Sequence, residues 1–588
     1  MKKTCTILGM VFLTAIFLAS PGKTMASTSD TLVVYASGPN LDEVIIADTT
    51  SSGLQAHQVY KLVSLDTTYI WLGPITVKSD FEVLGVLGSN GRPPCIQSGV
   101  LQDGSLPYYL FVINGPHTVA KFKNLYLTGL AINNTVNVLN VNGIGSFIQV
   151  AADSVKLYVD NVVFEDMPEE CIGYTGNWDD FFITNCKFRN LISATQWFSG
   201  EAFRNTNNAA RTDSIVMHYN TFLAMNCYDA CPVTLSYVKY FGFEHNSDIM
   251  TFQNPFWIFN VTNAKIDNNM FFGTWLGGIT QIEYLQFWDE LLSLAYPSVI
   301  DIDTLAHSGT QAGTIAKMFD PQDSSNSNFL WLAEGKRQIE VKNNNFFEPD
   351  TVVGFWKAYD DTAHGDDSLI YPTWMNSRTE HMFSTPSQWP GLVQSGNLNV
   401  DPGYGQSILN MLYNGMGNGV GEFQYFMDIR GNMATTDIYG YQLQTVNSGT
   451  WVPQWPLPEL SDMQYTNGSL KTGGTDGKPI GDPGWFNGGY TGVRETSSQV
   501  PSQFTLSNAY PNPFNPSAQI EYTVPKNSFV TLTVYNVLGQ EVKTLFQGMQ
   551  QPGKYVAAFD GSAYASGVYF YRLDAGSMSF TKKMVLLK

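Results

Sequence analysis

The chain has 588 residues, of which only 14% are charged, 44% apolar and 14% aromatic. That is ample material for a long core, and it excludes disorder and coiled coil. A net charge of −19 excludes a phosphate-backbone partner, so no nucleic acid is expected.

At the start, Met1-Lys2-Lys3 is basic, Thr6 to Ala19 is an apolar run, and Thr24-Met25-Ala26 places small residues at cleavage positions. This predicts a signal peptide over 1–26, removed after Ala26. The run is short for a membrane anchor, and no later run reaches the roughly 18 unbroken apolar residues of a membrane helix. No membrane-spanning segment is therefore expected after cleavage. The cysteines beyond the signal peptide are Cys95, Cys171, Cys186, Cys227 and Cys231, too sparse for a disulfide scaffold. Their odd number leaves at least one thiol without an intrachain partner. Cys227 and Cys231 are close enough to pair, and burial as small hydrophobes is the equal alternative for each.

The long middle carries a repeat: apolar, any, Asn or a turn residue, two more residues, then an apolar residue, often Phe. It reads Phe122-Lys-Asn124-Leu-Tyr-Leu127, Val159-Asp-Asn161-Val-Val-Phe164 and Ile183-Thr-Asn185-Cys-Lys-Phe188. Met217–Phe222 and Phe243–Asp248 are degenerate copies; Ile266–Phe271 and Val341–Phe346 restore the pattern. The third positions, 124, 161, 185, 219, 245, 268 and 343, are separated by 37, 24, 34, 26, 23 and 75 residues. A step near 25 with short alternating strands fits one coil of a parallel β-helix, in which coils stack because none buries its inner face alone. Asn marks a tight bend, since it tolerates left-handed backbone. Asn124, Asn161, Asn185, Asn268 and Asn343 are thus expected to form a buried ladder, each bonding the adjacent coil.

The β-helix is expected over 27–480, with an insertion near 276–336. In Gln281–Ala295, the residues Ile282, Leu285, Trp288, Leu292 and Ala295 keep helical spacing. The part from 348 to 480 reads as loop-rich, with long loops over Glu348–Asp367 and Trp374–Trp389 and a short helix over Gln406–Tyr413. A Gly, Pro, Ser and Thr-rich stretch predicts a linker over 481–503. Charge changes sign there: 501–588 is net +3 and 27–500 net −25. From 504 to 588, short alternating strands such as Ile520–Val524, Val530–Tyr535, Glu541–Leu545, Gly553–Phe559, Val568–Leu573 and Met578–Leu587 predict a small immunoglobulin-like β-sandwich. The fold class is therefore all-β.

Two regions resemble known families. Tyr510-Pro511-Asn512-Pro513-Phe514-Asn515-Pro516, Val534–Glu541 with Gly539, Ser566–Tyr571 with Gly567 and Tyr569, and Lys582–Lys588 resemble the C-terminal sorting domain of the type IX (Por) secretion system. The resemblance implies the type IX machinery as partner, export across the outer membrane of a Gram-negative bacterium, removal of the domain, and release or surface attachment. The prolines would fix an extended entry to the sandwich. The repeat over Leu32–Phe347 resembles the right-handed parallel β-helix (pectate lyase-like) superfamily. Leu32–Ala36, Val59–Val63, Ile75–Val77 and Phe81–Leu84 look like its opening strands, and Ser461–Thr466 through Asp476–Phe486 like its closing segment.

In the polysaccharide lyases and hydrolases of that superfamily the site lies on the first-strand face. Bends at 161, 185, 219 and 268 put first strands near 168–174, 200–206, 231–236 and 256–260. The candidate catalytic residues there are Glu170, Glu201 and Arg204, with Glu169 and Trp257 as candidate binding residues. Carboxylates beside an arginine suit calcium held against an acidic sugar, or acid–base work on a glycosidic bond; solvated surface charge explains them equally well. Trp-Ile-Asp-His, Asn-Thr-Asp with Gly-His-Gly, and Asp-Phe-Ile-Phe-Gly are all missing, and Asn177-Trp-Asp-Asp180 is a faint echo. No metal motif is present, and calcium is the single cofactor the cluster suggests. Gly415–Gly421 lacks the Lys and strand of a phosphate loop. The reading is a secreted or cell-surface protein, extracellular or on the outer surface, that binds an extracellular polysaccharide or mediates adhesion. A lyase or hydrolase acting on an acidic polysaccharide, and a structural surface component, are the alternatives.

Overall fold

The computed structural model describes residues 30–587 with interruptions at 64–67, 89–91, 133–144, 194–198, 207–209, 231–236, 254, 257–260, 275–278, 281–297, 301, 303–336, 364–368, 371–372, 415–420, 422, 424–443, 447–449, 453–462, 487–493, 498–502, 516, 526–527, 551–552, 562–563 and 576–577. The expected signal peptide, the helix over 281–295, Cys231, Trp257 and Pro516 lie outside the described residues.

The fold is all-β, built on an 18-stranded parallel sheet and a five-stranded parallel sheet, an arrangement compatible with a β-helix. The stack opens with Thr31–Val34, Val59–Leu62, Phe81–Gly85 and Val119–Thr128, each paired in parallel with the next. The helix Leu41–Ala47 lies against Tyr69–Trp71 and Ile75–Val77 and buries Leu41 and Ile45. Its first turn is closed by Glu43, whose carboxylate accepts from the Asn40 amide at 3.0 Å.

Further along, each coil passes two strands of the large sheet around one left-handed residue. Asp179–Thr184 and Lys187–Leu191 flank Asn185, Arg211–His218 and Thr221–Met225 flank Tyr219, and Tyr237–Glu244 and Ser247–Thr251 flank His245. Asn124, Asn161, Asn268, Asn343 and Gly396 continue the column of positive φ. The bends thus fall where the repeat puts them. A second column of positive φ follows at Asp166, Asn190, Ala224, Met250 and Gly273, where mixed side chains hide the pattern.

The ladder expectation needs correction by one residue. Asn124, Asn161, Asn185 and Asn343 are half-exposed at the bend; Asn268 is buried there, bonded to Thr475. Asn161 Nδ2 donates to Asn124 Oδ1 at 2.8 Å, but Asn185 Nδ2 turns to Asp160 and Asn343 Nδ2 to the Gly473 carbonyl. The interior ladder is Asn220, Asn246, Asn269 and Asn344, continued by half-exposed Asn397. Each donates Nδ2 to a carbonyl of the preceding coil: Ile183, Met217, Phe243, Ile266 and Val341 in turn. From Asn220 to Asn344, each also sends its backbone amide and Nδ2 to Oδ1 of the next member, at 2.8–3.2 Å. The physical reason is direction: the left-handed residue is the corner itself, and the residue after it turns inward. In earlier coils that inward position is apolar (Leu125, Val162, Cys186) and buried.

Inside the stack, aromatic rings sit one above another. Phe164 and Phe188 stack at 4.9 Å and Phe188 and Phe222 at 5.1 Å, nearly parallel. Cys95, Cys171, Cys186 and Cys227 are all buried.

A second core forms outside the later strands. Leu223, Ile249 and Phe272 pack against Ile408, Met411 and Leu412 of the helix Gln406–Asn414, and against Met463, Tyr465, Leu470, Ile480 and Trp485. The helix near 406–413 is where it was expected. The loops expected over Glu348–Asp367 and Trp374–Trp389 instead hold the helices Asp350–Ala363 and Ser377–Ser384. Acidic composition concealed the apolar spacing of Val352 and Phe355 in the first. In the second, Asn376 caps the helix by accepting from the Thr379 amide at 2.9 Å, while Met382 and Phe383 are buried. Both helices hold an apolar face that an average over the segment does not register.

The linker over 481–503 is narrower than expected at both ends. The Gly481 amide bonds the Asn268 carbonyl at 2.7 Å, and buried Asp482 pairs with Lys187 and accepts from Thr221. At the far end Arg494–Ser497 pairs with Gly553–Asp560. The C-terminal region has two four-stranded antiparallel sheets around Ile520, Leu532, Val534, Phe559, Tyr571 and Leu586.

Candidate functional site

Glu170–Tyr174 and Glu201–Asn205 are neighbouring strands of the five-stranded sheet, where first strands were expected. Their register sets Glu170 beside Glu201 and Gly173 beside Arg204. Arg204 Nη1 donates to Glu201 Oε1 at 3.1 Å. Of the candidates, Glu169, Glu170, Glu201 and Arg204 are therefore brought together. Glu170 is 7% exposed and Glu201 1%, so the pair is buried and the solvated-charge explanation does not hold for it.

Burial makes all three acids hold their protons more tightly. Glu170 is pushed up to about 8, by burial first and by the Glu201 charge second, against the pull of Arg204. Glu201 is pushed up to about 7 by burial, with Arg204 again opposing. Glu169 is raised by burial and lowered in part by Arg204. Two carboxyl groups that titrate near neutrality can each give or take a proton, and the guanidinium can pair with an acidic sugar.

The sequence reading missed other members of the cluster. Tyr108 and Tyr109 meet edge to face at 4.6 Å, and both phenols feel the Glu170 charge. Tyr108 is 54% exposed, and its ring lies where a side chain on Gly145 would stand 2.2 Å away. A Cβ on Gly173 would stand 2.5 Å from Gln149 Oε1 and 2.8 Å from Glu170 Oε1, so a glycine makes room for both. The available signals were Tyr108-Tyr109 ahead of a strand and a glycine within one. Among the described residues no group of three or more His, Cys, Asp or Glu side chains is arranged to hold a metal ion.

The second motif set is assembled in the C-terminal sandwich. The Tyr510-Pro511 and Asn512-Pro513 bonds are cis, and the entry is bent rather than extended as expected. Its register comes from Asn512 and Phe514. Asn512 Oδ1 accepts from the Val585 amide at 2.9 Å; the Phe514 amide donates to the Val585 carbonyl at 2.9 Å, and its carbonyl accepts from Leu587 at 3.0 Å. Phe514 is buried, whereas Tyr510, Pro511, Asn512, Pro513 and Asn515 are exposed. Gly539 has φ 76° in the turn after Tyr535, Gly567 opens the strand Gly567–Ala575, and Tyr569 Oη donates to the Ala565 carbonyl at 2.7 Å.

Among the described residues no helix is long and apolar enough to cross a membrane. No curated protein and no solved structure matches the chain. Residues 508–587 match the family model of the secretion system C-terminal sorting domain. The chain thus ends in a sorting domain of the type IX route, which makes it a secreted or cell-surface protein.

Proposed function

We propose that the region between the signal peptide and the sandwich is a right-handed parallel β-helix of the pectate lyase-like kind, which binds an extracellular polysaccharide on its first-strand face. The observation that carries this is the exposed Tyr108 ring, whose phenol feels the charges of Glu170 and Arg204, beside the buried Glu170–Glu201 pair that Arg204 bonds. An aromatic ring offers a face for a sugar, and the guanidinium offers paired donors to a carboxylate on it. The net charge of −25 over 27–500 makes such a local cation the natural contact for an acidic glycan. In this reading the sorting domain is an address that directs export and is then removed.

A second reading, a lyase or hydrolase, is favoured by one observation: the register sets two buried carboxyls, Glu170 and Glu201, side by side with Arg204 bonded to one of them, and burial raises both toward neutrality. The experiment is a screen of neutral and acidic polysaccharides against the purified protein, with and without calcium, scored for binding and for released oligosaccharide. Binding that falls at least tenfold in Tyr108→Ala and Arg204→Ala supports the first reading. Product formation that stops in Glu170→Gln or Glu201→Gln supports the second. No binding and no product from any polysaccharide defeats both.

A further inference from the structure

One register position of the phenylalanine column is acidic, although Phe243 keeps ring contact with both Phe222 and Phe271. In the register of the large sheet, Phe188 pairs with Phe222, Phe222 with Asp248 and Asp248 with Phe271. A carboxylate stands where the coils on both sides place a phenylalanine. Three residues on, Leu191 and Met225 are followed by Thr251 and Thr274. Beside them, the Ala202 amide bonds the Tyr228 carbonyl at 3.0 Å, which sets Asp229 next to Ala202. One coil thus exchanges three apolar interior positions for Asp229, Asp248 and Thr251 together.

Asp229 and Asp248 are fully buried. Thr251 Oγ1 donates to Asp248 Oδ1. Neither oxygen of Asp229, nor Oδ2 of Asp248, has a hydrogen-bond partner among the described residues. Burying an ionised carboxylate without a partner costs several kcal/mol as an order of magnitude, so an uncompensated pair would be expelled or neutralised. We propose that Asp229 and Asp248, with the Thr251 hydroxyl, hold a hard cation inside the stack. The donor set is all oxygen, which suits calcium over a soft transition metal. Two carboxylates would supply the charge, and the Thr251 hydroxyl a further oxygen. Asp229 lies within reach of the Asp248 charge.

The test uses the full-length protein, purified without chelator and passed through gel filtration. Elemental analysis is expected to find about one calcium per chain. Stripping with EDTA is expected to lower the melting temperature of the stack, and calcium to restore it. Asp229→Asn with Asp248→Asn, which keeps side-chain shape, is expected to lose both the metal and the calcium-dependent shift. Asp248→Phe, which restores the aromatic column, is expected to fold and to ignore calcium. Protein free of metal, with a melting temperature indifferent to EDTA and calcium, overturns the site and leaves the two carboxyls sharing a proton. A calcium-dependent shift that survives in both variants overturns it as well, by placing the ion elsewhere.

Discussion

The coil stack and the C-terminal sandwich are both all-β, but they hold their registers by different means. In the sandwich, neighbouring strands are antiparallel, and short connections join Ser528–Tyr535 to Glu541–Gln550 and Gly567–Ala575 to Met578–Leu586. Register in these hairpins is set locally, by turn geometry and alternation. In the stack, each strand pairs in parallel with one between 23 and 75 residues away, and no turn can set that register. Side chains do it instead: the ladder from Asn220 to Asn397, the stacked Phe164, Phe188 and Phe222, and the closing segment through Asp482. Polar burial differs accordingly. Among its described residues the sandwich buries no carboxylate, whereas the stack buries Glu165, Asp166, Glu170, Asp179, Glu201, Asp229 and Asp248.

The largest expected effect separates the two regions altogether. Deleting 504–588 is predicted to abolish export in a host with type IX machinery while the stack still folds in the periplasm. Comparing the truncated and full-length protein in the medium and by melting checks this. Equal export, or collapse of the stack's melting temperature, would show the sandwich to be more than an address.

Next come the ladders. Asn246→Ala removes a fully buried residue whose Oδ1 accepts from the Asn220 amide and whose Nδ2 donates to the Met217 carbonyl and to Asn269. A loss of at least about 2–3 kcal/mol is expected, since each stranded buried group costs roughly 1–3 kcal/mol. Asn161→Ala, at a half-exposed corner with φ 54°, is expected to lose about 1–2 kcal/mol, chiefly from left-handed backbone strain. Chemical denaturation should place both losses in the stack's transition and neither in the sandwich's; equal losses would restore the original ladder assignment.

Lys187→Met leaves Asp482 buried without its cation. The expected cost is about 3 kcal/mol at most, tempered because Thr221 and the Gly484 amide still bond that carboxylate. Hydrogen exchange should report it as faster opening of 480–486, with the sandwich unchanged.

The smallest effect is in pH dependence. Glu170 near 8 and Glu201 near 7 bind protons more tightly folded than at the ordinary glutamate value of 4.5. Folding then takes up protons, so stability from these groups is highest below about pH 4.5 and falls as pH rises toward 8. The stack's melting temperature is expected to decline over that window and the sandwich's to decline less. Glu170→Gln should flatten the decline; an unchanged slope would mean that Glu170 is not buried as described.

Much of this was legible residue by residue. Left-handed corners announce themselves through Asn, which tolerates that backbone, and the spacing persisted even where Tyr219 and His245 replaced it. The first strands at 170–174 and 201–205 followed from counting back from those corners. Tyr510–Pro516 and Lys582–Lys588 were readable because a short motif at a chain end needs no distant partner to be recognised.

Distance in sequence marks what was not legible. Asn220, Asn246 and Asn269 follow the corners they were confused with by one residue, and only the backbone's direction at each corner decides which of the two faces inward. The helix at 350–363 exists because the core outside the strands receives Val352, and the helix at 377–384 because Met382 and Phe383 join the main core. Glu170 and Glu201 are 31 positions apart in the numbering, and their pairing arises only when one coil settles on another. Composition and local pattern determined strands, corners and export, because those depend on backbone preference and short motifs. Which side chains meet inside, and which charges lose their water, was decided by the stacking of coils, because burial is a property of neighbours that the chain brings together only when folded.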